Sequence, residues 1–214
     1  MDFLAFVLSF LPPPPARVLE VGCGDEGGLV ERLAEAGYDA LGIDPEAPAG
    51  PRFHRVELEQ LEPDERFDAA VASRVLHHVE PLGPALDRLT TLAPLILVDD
   101  FANERIDDAA RAWYEARYRE LAEGVAAPRA PADLGEWRAR HPDLLHGEVV
   151  LAELRARYDE LFFEERPYLY RWLRDDESLR LERELIAAGT IPAIGLRYAG
   201  VAKTETDRSA AESR

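Results

Sequence analysis

Residues 17–28 read Arg17-Val-Leu-Glu-Val-Gly22-Cys-Gly24-Asp-Glu-Gly27-Gly28. The opening run is short, β-rich and closed by glycine. Gly28 to Gly37 then sets Leu29, Val30, Leu33 and Ala34 on one helical face, and Gly37 suits the position just past a helix end. A glycine-rich turn between a strand and a helix lets the backbone approach a ligand closely. It also aims the N–H groups of the helix start at that ligand.

The same alternation continues outward. Strands are expected at Asp39–Asp44, Phe53–Leu58, Phe67–Ser73 and Pro94–Asp100, with a helix from Pro84 carrying Leu86, Leu89 and Leu92. The fourth and fifth strands are near-continuous apolar runs, as in a parallel sheet covered on both faces. Ligands of such sheets bind at the carboxyl ends of the strands. Gly22, Asp44, Glu57, Ser73 and Asp99 stand at those ends.

Beyond Asp100 the pattern becomes helical. Glu104–Glu123 reads as a long helix that Pro128 and Pro131 break, and a second helix lies around Val149–Tyr158. Leu161–Arg166 is an expected sixth strand, Asp176–Ala188 a helix ended by Gly189, and Ala193–Lys203 a terminal strand with no helix after it. About 60 residues separate Asp100 from the sixth strand, where one crossover with its helix needs roughly 10–12 or somewhat more. The surplus, 105–158, is expected to form a helical lid. The whole predicts one three-layer αβα Rossmann-like domain over residues 1–203 and a disordered tail at 204–214. Its seven strands are expected in the order 3-2-1-4-5-7-6, the last antiparallel.

Composition narrows the function. The chain has 214 residues and a formal charge of −17, with 42 acidic against 25 basic side chains. That balance speaks against nucleic acid, whose phosphates are held mainly by Lys and Arg. The only lysine is Lys203, so chemistry needing an internal lysine, such as phosphate loops and Schiff bases, is disfavoured. Cys23 is the only cysteine, which forbids an intramolecular disulfide, and no Cys/His cluster has zinc spacing. The apolar start, Met1–Leu11, carries Asp2 and lacks the positive region of a signal peptide, and no apolar run reaches the ~18 residues of a membrane span. A soluble cytoplasmic protein is expected, its first residues a short helix packed on the domain.

Asp44 follows Gly24 by 20 residues, where an acid can accept both hydroxyls of an adenosine ribose. Glu20, Asp25 and Glu26 put negative charge around the turn. A pyrophosphate is repelled there, whereas a ligand with an ammonium and a sulfonium is attracted.

Val-Leu-Glu-Val-Gly-Cys-Gly (18–24), Gly-Ile-Asp-Pro (42–45), Phe-Asp-Ala-Ala-Val-Ala-Ser-Arg-Val-Leu-His-His-Val (67–79), Leu-Ile-Leu-Val-Asp-Asp (95–100) and Gly-Leu-Arg-Tyr-Ala-Gly (195–200) together resemble the class I S-adenosylmethionine-dependent methyltransferases. The resemblance covers residues 14–100 well and 190–203 moderately. It implies S-adenosylmethionine as cofactor, held by Glu20, Gly22, Cys23, Gly24, Asp44, Glu57 and Ser73, and methyl transfer to a small-molecule acceptor. The family loop runs G-x-G-x-G, whereas the third glycine here, Gly27, falls one residue late. His77, His78 and Asp99 are candidates for catalysis, and packing or capping roles for all three stay open. A nicotinamide-dependent oxidoreductase and a cofactor-binding module without turnover remain alternatives. No metal site is expected.

Overall fold

The computed structural model describes residues 2–61, 66–124 and 131–204. Its strands are β1 (Arg17–Val21), β2 (Asp39–Ile43), β3 (Phe53–His54), β4 (Ala69–Ser73), β5 (Leu95–Phe101), β6 (Tyr158–Arg166) and β7 (Gly195–Ala202). They form one sheet in the order β3-β2-β1-β4-β5-β7-β6. The pairs from β3 to β5 are parallel, and β7 runs antiparallel to both of its neighbours, as the sequence predicted.

Period-two alternation gives each strand two faces. Leu19, Val21, Ala70, Ala72, Ile96 and Val98 point to one side. There α3 (Leu82–Leu92) and α6 (Gly147–Arg157) cover them with Leu86, Leu89, Val150 and Leu154. Val18, Ala69, Val71, Leu95 and Leu97 point to the other side, under α1 (Phe3–Phe10) and α2 (Val30–Glu35). α1 is the short N-terminal helix expected from the sequence; its Phe6 ring lies 5.3 Å from Phe162 of β6. A third cluster sits over the carboxyl ends of the strands. It joins Phe101 to Tyr114 of α4 (Asp108–Gly124), Leu134 of α5 (Leu134–Arg140), Leu173 of α7 (Tyr170–Leu173) and Leu185 of α8 (Asp176–Ala187).

Several boundaries differ from the sequence reading for physical reasons. α2 begins at Val30, not Gly28, because Gly27 and Gly28 hold left-handed φ of 81° and 56°. β3 is two residues long because its only partner, β2, turns away at Asp44, where Ala47 donates to the Asp44 carbonyl. β6 starts directly where α6 ends, and Leu161 is the extra residue of a bulge, 54% exposed. Of the stretch expected as a lid, α4 and α5 belong to the cluster over the strand ends. α6 lies in the helix layer, tied to α3 by the Arg157–Asp87 ion pair at 2.9 Å. Pro128 and the tail from residue 205 lie outside the described residues. Lys203 follows β7 and donates from Nζ to the Arg155 carbonyl at 2.6 Å.

Candidate active site

A cleft of about 1130 Å³ opens at the carboxyl ends of β1, β2, β4 and β5. It exceeds the ~300–1000 Å³ typical of one small ligand, so it has room for two. Its two halves differ in chemistry.

One half is the glycine turn. Gly22 has φ +74°, and a Cβ there would meet Val75 Cγ2 at 2.4 Å, so only glycine serves where the turn presses on the segment after β4. The Gly22 N–H donates to the Ile43 carbonyl at 2.9 Å. A Cβ on Gly24 would meet nothing within 4 Å, which leaves this backbone open to the cleft. Gly27, the displaced glycine, packs on the Phe53 ring.

Glu20 is 2% exposed, and its carboxylate accepts from the Leu29 N–H at 2.6 Å. Gly28 has to be glycine because a Cβ would strike that carboxylate at 2.4 Å. Burial pushes the Glu20 carboxyl up to about 7, while the Leu29 and Val30 N–H groups pull the other way. This group therefore holds the turn against α2 as well as lining the cleft.

Asp44 ties the turn to the end of β2. It accepts from the Gly24 N–H at 3.0 Å and the Glu46 N–H at 2.8 Å, one on each oxygen. Each oxygen keeps a lone-pair direction free for a ligand hydroxyl. Cys23 is a buried free thiol pushed up to about 12 by burial, with Glu20 and Asp44 adding to the shift, so it is no nucleophile. Glu57, exposed beyond β3, and Ser73, half-buried at the end of β4, line the same cleft. All seven sequence-derived binding residues thus meet at one opening.

The other half is aromatic. Phe101, Trp137, Tyr168 and Trp172 line it beside His77 and His78. Tyr168 stacks on Phe101 at 4.4 Å between ring centres, and Trp172 meets Tyr168 edge-on at 5.4 Å. None of these four rings belongs to a motif that the sequence announces. Tyr168 is positioned by Glu182 of α8, whose buried carboxylate accepts from the N–H groups of Tyr168, Leu169 and Tyr170 at 2.7–3.0 Å. No local pattern announces that link.

His77 Nδ1 lies 2.5 Å from Asp100 Oδ1, and both side chains are buried. Burial and the neighbouring His77 imidazole lower the pKa of His78. Asp99, the third catalytic candidate, is not among the residues lining the cleft. It faces the opposite side of the sheet, where Arg171 (2.6 Å), Arg197 (3.0 Å) and Arg166 (3.4 Å) surround it. Among the described residues no cluster of three or more His, Cys, Asp or Glu side chains has the arrangement of a metal site. Nor is any described helix long and apolar enough to cross a membrane.

A family model described as "Methyltransferase domain" matches residues 1–146, more than half of the sequence. The chain belongs to that methyltransferase family. An uncharacterised methyltransferase of Mycobacterium bovis is 38% identical to this family member over 167 residues, covering 71% of the chain and 80% of the relative. The ubiquinone biosynthesis O-methyltransferase of Rhodopseudomonas palustris strain TIE-1 is 35% identical over 89 residues. There the match spans only 36% of this chain and about a third (35%) of that enzyme's length. Among solved structures, a putative S-adenosylmethionine-dependent methyltransferase of Listeria monocytogenes superposes with a TM-score of 0.56 at 15% identity. That superposition covers 94% of this chain and 97% of that one. An S-adenosylmethionine-dependent methyltransferase of Mesorhizobium loti superposes with a TM-score of 0.54 at 21% identity, covering 92% and 96%. These two likenesses are likenesses of fold.

Proposed function

We propose that this family member transfers a methyl group from S-adenosylmethionine to a small-molecule acceptor. The observation that carries the reading is the glycine turn itself. It offers open backbone at Gly24, a carboxylate with free lone pairs at Asp44, and acidic rather than basic side chains around it. Such a turn suits a ligand with a ribose diol, an ammonium and a sulfonium, and repels a pyrophosphate. In this reading Gly22, Cys23 and Gly24 follow the amino-acid part of the donor along the backbone, and Glu20 keeps the turn in shape. Asp44 takes the ribose hydroxyls, Glu57 lies toward the base, and Ser73 closes the floor.

Bound S-adenosylmethionine supplies a methyl carbon made electrophilic by its sulfonium. The chain's own task is then orientation. The aromatic half of the cleft holds the acceptor beside the donor half, so that proximity lowers the barrier to an in-line displacement. The net charge of −17 and the acidic cleft support an acceptor that is not a nucleic acid, and a cytoplasmic setting accords with that reading.

Titration calorimetry tests the donor. S-adenosylmethionine and S-adenosylhomocysteine should bind and NAD should not. Tight NAD binding, with neither of the other two bound, overturns the proposal in favour of a nicotinamide-dependent oxidoreductase. Binding of the donor without transfer to any acceptor in a broad screen favours a module without turnover.

A further inference from the structure

His77 lines the aromatic half of the cleft, and the buried Asp100 stands behind it. Asp100 Oδ1 already accepts from a backbone N–H, so across the 2.5 Å contact it is His77 Nδ1–H that donates to it. Nε2 then carries the lone pair. Asp100 is fixed in turn by the Phe101 N–H, which donates to the same oxygen at 2.9 Å. The His77 carbonyl accepts from Leu145 at 2.9 Å, so the residue is held at both ends. Its ring stands edge-on to Phe101 at 4.6 Å, and from there the wall runs on through Tyr168, Trp172 and Trp137. Trp137 and Trp172 are half-buried and line the opening.

Resting on the donor reading above, we infer that this half binds a neutral planar aromatic compound bearing a hydroxyl, and that His77, oriented by Asp100, takes the hydroxyl proton. The walls are rings set at angles to one another, an arrangement that receives a flat ring by stacking and edge contacts. Around the whole cleft seven acidic side chains face the single guanidinium of Arg74, so a neutral acceptor is held more tightly than an anionic one. An amine attacks through its own lone pair and sheds its proton afterwards. A hydroxyl has to lose its proton as it attacks, and only there does a carboxylate-oriented imidazole contribute. The hydroxyl oxygen gives its proton to Nε2 and an electron pair to the methyl carbon. Sulfur keeps the pair of the broken carbon–sulfur bond and becomes a neutral thioether. The imidazolium returns its proton to water, and an aryl methyl ether leaves.

The ionisable and charged neighbours of the pair come from several elements. His78 stands beside His77, His141 ends α5, and Tyr168 is acted on by Asp100 together with Arg74, Arg171 and Asp99. His78 has its pKa lowered by burial and by the imidazole of His77 beside it.

Catechol is the probe, with cyclohexane-1,2-diol as its saturated counterpart and 4-nitrophenol as an acceptor already ionised at the assay pH. With S-adenosylhomocysteine bound, calorimetry should show catechol binding at least ten-fold tighter than the diol. Trp172→Ala should remove that preference without changing the affinity for S-adenosylhomocysteine. His77→Asn should lower kcat on catechol by about 100-fold or more, within the range of general-base contributions, with a smaller change in KM. On 4-nitrophenol the loss should stay below ten-fold. Asp100→Asn, the positioning variant, should lower kcat on catechol by ten-fold or more with KM nearly unchanged, because the imidazole is no longer held in the orientation that aims Nε2 at the hydroxyl. Equal binding of catechol and the diol overturns the aromatic site. Equal losses on catechol and 4-nitrophenol, or an unchanged kcat in Asp100→Asn, overturn the base. Failure of S-adenosylhomocysteine to bind wild-type protein overturns the donor reading instead, and catechol titrated alone still reads the aromatic site.

Discussion

Asp99 and Asp100 are neighbours in β5 with unlike surroundings. Alternation along a strand sends Asp99 to the arginine side of the sheet and Asp100 to His77. Glu20 and Asp44 differ in a similar way. Glu20 is buried with its proton affinity raised to about 7, so folding takes up a proton between the ordinary value of 4.5 and 7. Its stabilising effect is therefore full below about pH 4.5 and is lost as pH rises through 7, about 3 kcal/mol in all at ~1.4 kcal/mol per pH unit. Glu20→Gln should make the difference in urea stability between about pH 5 and about pH 8 smaller than in wild type by an amount of that order. An unchanged pH slope would show that the carboxyl is ionised throughout. Asp44 is half-exposed and faces the ligand. Asp44→Ala should weaken donor binding by roughly 1.5–3 kcal/mol, the range for hydrogen bonds to a charged group, as read by calorimetry. Part of that loss would come from freeing the Gly24 N–H.

At the scale of elements, α7 is a single turn, and the N–H groups of Tyr168, Leu169 and Tyr170 leading into it converge on Glu182 of α8. Glu182→Ala leaves three backbone donors without their partner. At ~1–3 kcal/mol for each unsatisfied group, the loss should be about 3 kcal/mol or more, seen as a lower Tm. Tyr168 and Trp172 would loosen with it, so acceptor affinity should fall while donor affinity holds. An unchanged Tm would mean that water satisfies those groups. α7 also marks where the sequence stopped being readable. The alternation from Arg17 to Asp100 was legible because buried parallel strands are written as local apolar runs. The donor half was legible for the same reason, since glycines and strand-end acids lie within one local motif. The acceptor half is assembled from β5, α5, and α7 with the turn before it, which are distant in the chain. Its rings are ordinary apolar residues until the fold brings them together. The His77–Asp100 pair, 23 positions apart, needed the sheet register to appear.

For the whole molecule, the sheet and its two helix layers form a base, and α4, α5, α7 and α8 form a cap over the strand ends. The cap supplies most of the aromatic wall, so it is the part expected to move as ligands enter and leave. Backbone amides of α4 and α5 should exchange hydrogen faster than those of Val18–Val21 in the free protein. They should slow when S-adenosylhomocysteine and catechol are both present. High protection of both regions without ligands would mean that the cap is rigid.

β7 runs against β5, so Val201 pairs with Leu95 at the start of that strand. Lys203, just beyond, therefore stands at the opposite end of the sheet from the cleft. It is the only lysine in the sequence. Among side chains, amine-directed coupling of a dye, a biotin or a sensor surface has that one lysine as its target. A protein tethered through Lys203 would present its binding end to solvent in a single orientation, with no engineered attachment point.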